Sequence, residues 1–197
     1  MYKYLLFAAL TIGVLEKASG QNQTQQYDVF HNDRCVGKML VTKISDGRKC
    51  IFKLTFNAVL SLLIKNVVIE GMEEASFENG VLVYSKVMRK VNGNVKTDKH
   101  TKKANNAYVA YEGDTKTVIP LSEIRSNFFT LLFAEPVNEP TIYSDYVQKE
   151  LTLVKTATHI YQVTTKNGHF NRYSYVNGAC SMIEVSTLML TLMLRRH

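Results

Sequence analysis

Proline is scarce in this chain, 3 among 197 residues, and tryptophan is absent. With 11 tyrosines and 9 phenylalanines in the same length, that scarcity suits a sheet-rich fold. Proline cannot donate to a strand ladder, and aromatic side chains pack well on a pleated surface. The short motifs that carry common chemistries are missing too. There is no Gly-x-Ser-x-Gly elbow, no P-loop, no Gly-x-Gly-x-x-Gly and no His-Glu-x-x-His. The histidines, His31, His100, His159, His169 and His197, lack ligand spacing, so neither a metal nor another cofactor is expected. Ser144 and Asp145 with His159 or His169 form a hydrolase triad only on paper. Local capping of a turn is the plainer reading of that pair, and the chain reads as a non-enzyme.

Cysteine is also sparse: Cys35, Cys50 and Cys180. Their irregular spacing inside predicted strands resembles neither a disulfide scaffold nor a zinc site. One disulfide with one thiol left over and three packed free thiols both remain open. Long hydrophobic runs are absent except at the start. There Lys3, the apolar residues 4–15 and the small residues Ala18-Ser19-Gly20 form the three parts of a secretory signal peptide, residues 1–20. The apolar part is too short to span a membrane comfortably. No cysteine follows the cut, so a lipoprotein anchor is not expected. Cleavage would remove Lys3, Glu16 and Lys17 and leave 22 basic and 16 acidic residues, a charge of +6. The expectation is an exported chain, periplasmic or secreted, with no transmembrane segment after cleavage.

What the sequence has is turns. Asn79-Gly80, Asn92-Gly93, Asn167-Gly168 and Asn177-Gly178 each suit the two positive-φ positions of a tight hairpin. Asp46-Gly47 and Gly113-Asp114 add two more. Between Gly168 and Asn177, Phe170, Arg172, Ser174 and Val176 alternate with Tyr173 and Tyr175. Residues 21–26 read as a frayed polar lead-in and 27–197 as one β-rich domain without linker or repeat. Gly37 suggests a bulge or close backbone approach, and Gly71 reads as the end of a strand over 62–70. The last apolar run, 181–194, reads as a single strand covered on both sides. The resulting fold class is all-β: a strongly curved antiparallel meander of about ten strands, or an incomplete barrel. One short helix is expected near 122–131, with Ser122 as its N-cap.

Two stretches could carry function. Residues 86–103 hold Lys86, Arg89, Lys90, Lys96, Lys99, Lys102 and Lys103 against Asp98. Such a hairpin could approach an anionic envelope surface, although a solvated edge whose lysines discourage aggregation is the preferred reading. Nucleic acid is a poor partner for an exported chain without aromatic-basic motifs. Phe128, Phe129, Leu132 and Phe133 form the densest apolar patch of the mature chain. Core packing is the plainer account. If the sheet curls into a half-barrel, these four with Tyr173 and Tyr175 would line a site for an apolar or lipid-like ligand.

The string Tyr27-Asp28-Val29, Cys35-Val36-Gly37, Phe133-Ala134-Glu135-Pro136, Tyr143-Ser144-Asp145, Asn167-Gly168, Asn171, Tyr173-Ser174-Tyr175 and Asn177-Gly178 resembles the secreted family called domain of unknown function 6134, found mainly in Bacteroidota. The resemblance implies an exported, β-rich single domain and no particular activity. The opening Tyr-Asp-Val and Val-Gly pattern is also similar to periplasmic curved-sheet families of the lipoprotein-carrier type, a likeness of fold alone.

Overall fold

A computed structural model describes residues 21–61, 66–165, 168–188 and 190–197. The predicted signal peptide, residues 62–65 and Asn167 lie outside that set. The described chain makes one 14-stranded antiparallel sheet, curved and open, with one short helix. The strands are β1 (Gln21–His31), β2 (Arg34–Asp46), β3 (Lys49–Ser61), β4 (Asn66–Glu78), β5 (Val81–Val91), β6 (Asn94–Ala104), β7 (Ala107–Glu112), β8 (Thr115–Ile119), β9 (Thr141–Ser144), β10 (Lys149–Ala157), β11 (Ile160–Thr164), β12 (Phe170–Val176), β13 (Ala179–Ser186) and β14 (Thr191–Arg196). Helix α1 (Phe128–Phe133) lies between β8 and β9.

The order across the sheet runs from β8 down to β1, then from β14 down to β9. Every neighbour is therefore a neighbour in sequence, except that β1 pairs with β14 through Tyr27 to Phe30 and Met193 to Arg196. The sheet would close if β8 met β9. Instead, the connection between those two strands, residues 120–140, bonds β5 through Ile124 and β9 through Ser126 and carries α1 onto the inner face.

The Asn-Gly turns behave as their backbone preferences require. Asn177 has φ of 51° and Gly178 of 76°, and Val176 faces Ala179 directly across the turn. Gly168 also has positive φ, but Thr164 pairs with Phe170, so that connection is longer than two residues. Gly37 marks both features expected of it. Val29 pairs with Gly37 while Phe30 pairs with Cys35, which leaves Val36 as the extra bulge residue. A Cβ on Gly37 would sit 2.0 Å from the Asn57 carbonyl oxygen.

Several elements depart from the expectations. Residues 21–26 are not frayed: they extend β1 and pair with β2 from Leu40 to Ser45. Gly71 does not end a strand but sits within β4, between Phe56 and Arg89. Residues 181–194 form two strands, because Thr187 makes a turn whose amide and hydroxyl both donate to the Leu190 carbonyl.

The helix starts later than expected, with Asn127 rather than Ser122 as its N-cap. The Asn127 side chain accepts from the amides of Phe129 and Thr130, and the Thr130 hydroxyl accepts from the Asn127 amide. That is a reciprocal capping box. The backbone before it is committed elsewhere: the Leu82 amide donates to Ile124 and the Tyr143 amide to Ser126. An extended chain that is lending its carbonyls to two strands cannot also wind into a helix. All three cysteines are free thiols, Cys35 exposed and Cys180 buried.

The two strand-interior glycines separate crowding from open space. Gly37→Ala should cost about 2 kcal/mol or more, the scale of overpacking a closed site, in urea denaturation. Gly71→Ala, whose added Cβ would meet nothing nearer than Phe56 Cβ at 3.4 Å, should shift stability by no more than about 0.5 kcal/mol in either direction.

Candidate functional site

On the inner face of the sheet, β-strand alternation aims one residue in two at the helix. Phe52 contacts three rings there: Phe77 edge-on at 5.8 Å, Phe129 stacked at 5.5 Å and Phe133 at 5.5 Å. This aromatic cluster fills one part of the concavity. A six-residue helix cannot fill the rest, and a cavity of about 550 Å³ remains. Met39, Leu54, Phe56, Ile69, Leu151 and Val163 are among its apolar walls, with Phe128 and Tyr173 on its helix side. A second depression of about 410 Å³ beneath Pro136 and Pro140 is open to solvent.

The six residues named for an apolar ligand therefore divide. Phe128 and Tyr173 line the cavity. Phe129 and Leu132 are wholly buried in the core. Phe133 packs on Phe52 under the Lys43 ammonium, 5.6 Å from its ring. Tyr175 is buried and donates through its hydroxyl to the Leu131 carbonyl. A helix run with phenylalanines at both its first two positions does not announce which ring turns towards the open side.

The seven cations divide as well, because pairing places them on both faces. Lys86 and Lys102 lie on the outer face around His100, which stacks on Tyr111 at 4.3 Å, and Lys102 lies over the Tyr84 and Tyr111 rings at 6.0 and 5.9 Å. Lys90 follows on that face, and Lys96 is the extra residue at a bulge. Lys99 and Lys103 share the alternate register with the buried Thr101, and Lys99 reaches Glu112 at 3.1 Å. Arg89 points to the cavity.

The position of Arg89, expected on the basic surface, is the main feature that sequence reasoning misses. It pairs across β4 with Gly71. Its Nε and Nη2 both donate to one oxygen of Glu73, at 3.1 and 2.7 Å. Its guanidinium lies 4.6 Å over the Tyr146 ring, which Lys99 also approaches at 5.5 Å. Glu73 is 9% exposed and Arg89 43%, so the cation is what the pair presents to the void. The signal available was the alternation itself: Ser85, Val87 and Arg89 are two residues apart, and Ser85 and Val87 are buried.

Beside this pair stands Asp145, buried at the junction of α1, β5 and the β9–β10 turn. Its carboxylate accepts from the Asn127 amide nitrogen at 2.9 Å. Burial pushes Asp145 up to about 7; the negative charge of Glu73 adds to the rise, and the hydrogen bond from the Asn127 side chain partly offsets it. Ser144 accepts from the Val147 amide and bonds no histidine among the described residues. It caps the turn, as the plainer reading had it. His159 is engaged by Glu135 at 2.9 Å, a bond that holds the Glu135 carboxyl below its usual range. Burial drives the Cys180 thiol up to about 12, which leaves no thiolate to act as a nucleophile. Among the described residues no cluster of three or more His, Cys, Asp or Glu could hold a metal, and no helix is long and apolar enough to cross a membrane.

The family model that matches spans residues 27–197 and is described as Domain of unknown function (DUF6134). No curated protein and no solved structure matches the chain.

Asp145 has a pH signature. Its folded value lies above the ordinary 3.8, so the fold holds a proton that the unfolded chain gives up. The stabilisation is complete below about 3.8 and is lost as pH rises towards about 7. In urea melts from pH 4 to 7, wild type should lose stability relative to Asp145→Asn by a few kcal/mol, on the order expected for a shift of this size. Parallel pH curves for the two proteins would contradict the assignment.

Proposed function

The chain belongs to the family described as Domain of unknown function (DUF6134), and we propose that it is a non-enzymatic binding module for an apolar or lipid-like ligand. The observation that carries this reading is the cavity of about 550 Å³. It falls in the size range of small-molecule sites, which are mostly apolar with a few placed polar groups. Its walls come from β2–β5, β9–β14 and α1, so the site belongs to the fold rather than to one loop. The signal-peptide pattern of residues 1–20 supports an exported location, periplasmic or secreted, where amphiphiles need shielding from water.

Gly71 adds support. A strand-interior glycine costs backbone entropy and offers nothing to pack. Gly71 has no positive φ to require it, and a Cβ would find room. What its missing side chain provides is space inside the cavity.

A second reading, an envelope interaction protein, draws on the outer face of β5–β8. There Lys86, Lys102 and Lys116 alternate with Tyr84, His100 and Tyr111, and the terminal strand β8 is exposed from Thr115 to Val118. The cavity is the more specific feature because it converges apolar wall and charge on one void.

Native mass spectrometry of the protein purified from its own host, with solvent extraction of what is released, tests the first reading. A bound species is expected for wild type. Gly71→Phe, which fills the void, should lose it while keeping the wild-type circular dichroism spectrum. A clean apo mass for wild type would turn attention to the outer face instead.

A further inference from the structure

We infer that the ligand is a single-chain amphiphile with an anionic head, a carboxylate or phosphate, read by Arg89 at the polar end of the cavity. The inference rests on the binding-module reading and specifies its ligand. Size sets the first limit. At ~30 Å³ per water-sized group, a void of about 550 Å³ holds roughly eighteen non-hydrogen atoms. That accommodates one medium-to-long hydrocarbon chain with its head. Two such chains do not fit.

Charge sets the second. Among the described lining residues, which also include the polar Thr165, His169 and Asn171, Arg89 is the one Arg or Lys, and its bonding is half complete. Nε and Nη2 share a single Glu73 oxygen, and Nη1 bonds nothing among the described residues. A planar guanidinium with a free edge, 43% exposed at the open side of the cavity, suits a carboxylate or phosphate oxygen, because its fork matches such oxygens and charge-assisted hydrogen bonds are the stronger kind. Glu73, 9% exposed, holds the other edge of the fork and orients it. The Tyr146 ring stacks on the guanidinium at 4.6 Å, and Lys99 over the same ring adds positive potential. Glu70, at the rim, sits in the opposite register and faces Lys90. Asp145 gives one oxygen to Asn127 and leaves the other without a partner among the described residues.

The test compares three probes that share one chain: dodecan-1-ol, dodecanoate and dodecyl phosphate, by equilibrium displacement with native mass spectrometry as readout. Both anions, or one of them, should bind wild type about tenfold or more tightly than the alcohol, the scale of a hydrogen bond to a charged group. Which anion leads identifies the source, free acid or phosphate head. Arg89→Gln alone strands the Glu73 carboxylate, so the informative variant is Arg89→Gln with Glu73→Gln. That pair should bind all three probes at the level of the alcohol. If wild type takes the alcohol as tightly as the anions, or if the double variant keeps the preference, the head-group inference is overturned and the cavity stands. If wild type binds none of the three, both the inference and the binding-module reading fall.

Discussion

The structure depends on covering the inner face of a sheet that does not close. Fourteen antiparallel strands arranged in almost cyclic order leave one gap, and the 120–140 connection must cross it with its backbone polar groups satisfied, because an unpaired buried amide or carbonyl costs on the order of 1–3 kcal/mol. Backbone pairing supplies most of the partners, and the hydroxyls of Tyr108 and Tyr175 supply two more, while Tyr161 and Tyr143 brace the region through side chains. Tyr108 donates to the Leu82 carbonyl and accepts from the Ile124 amide. Tyr175 donates to Leu131 in the helix, Tyr161 to Glu135 after it, and Tyr143 meets Thr101 of β6. Burial pushes Tyr108, Tyr143, Tyr161 and Tyr175 above the ordinary phenol range, so they stay protonated at any physiological pH. The abundance of tyrosine is thus more than strand propensity: long aromatic bodies fill the interior and their tips stitch the connection to the sheet.

The same arrangement explains why a cavity survives. The sheet's concavity is wide, and α1 contributes one turn and a half of helix. Its buried side joins the Phe52 cluster and its Phe128 side meets Tyr173 at 6.1 Å, with open volume beyond. The Phe133-Ala134-Glu135-Pro136 motif then fixes how the chain leaves. The Glu135 carboxylate accepts from Tyr161 at 2.9 Å, and its amide donates to the Gly178 carbonyl in the β12–β13 turn. Two stretches that look unrelated in sequence, the Glu-Pro motif and the second Asn-Gly pair of the C-terminal hairpins, are in contact. Their contact holds the helix at a set depth.

Much of this fold was legible, and the legible parts share a cause. Asn79-Gly80, Asn92-Gly93 and Asn177-Gly178 declare themselves because both central residues take positive φ, a demand few other residue pairs meet. Turns built otherwise were missed. The 187–190 turn uses a threonine side chain and no glycine, so β13 and β14 read as one strand. The helix was legible as an apolar run but not in its start, since Ser122 and Asn127 are both competent caps and only the tertiary pairing of Ile124 and Ser126 decides between them. The site was half legible for a related reason. Aromatic content pointed to the helix that borders the cavity, but which ring faces the void depends on helix rotation. Composition places Arg89 on a basic surface, whereas the alternation of β5 after its bulge at Val83 turns it to the inner face.

Places where local rules fail help to locate function, provided that structure does not already account for them. Gly37 breaks a strand rule, and the Asn57 carbonyl 2.0 Å from its virtual Cβ accounts for it fully. The positive-φ asparagines are accounted for by their turns. Three conflicts remain. Gly71 weakens β4 without a steric or dihedral reason, Arg89 turns a guanidinium towards apolar walls, and Asp145 buries a carboxyl. Gly71 and Arg89 are cross-strand partners, and Asp145 borders the same void within one turn of the Tyr146 that stacks on Arg89. Three linked costs to stability fall at one end of one cavity. A fold selected only for its own stability would have spread or removed them; their convergence is what a site shaped for a polar head on an apolar chain would leave behind.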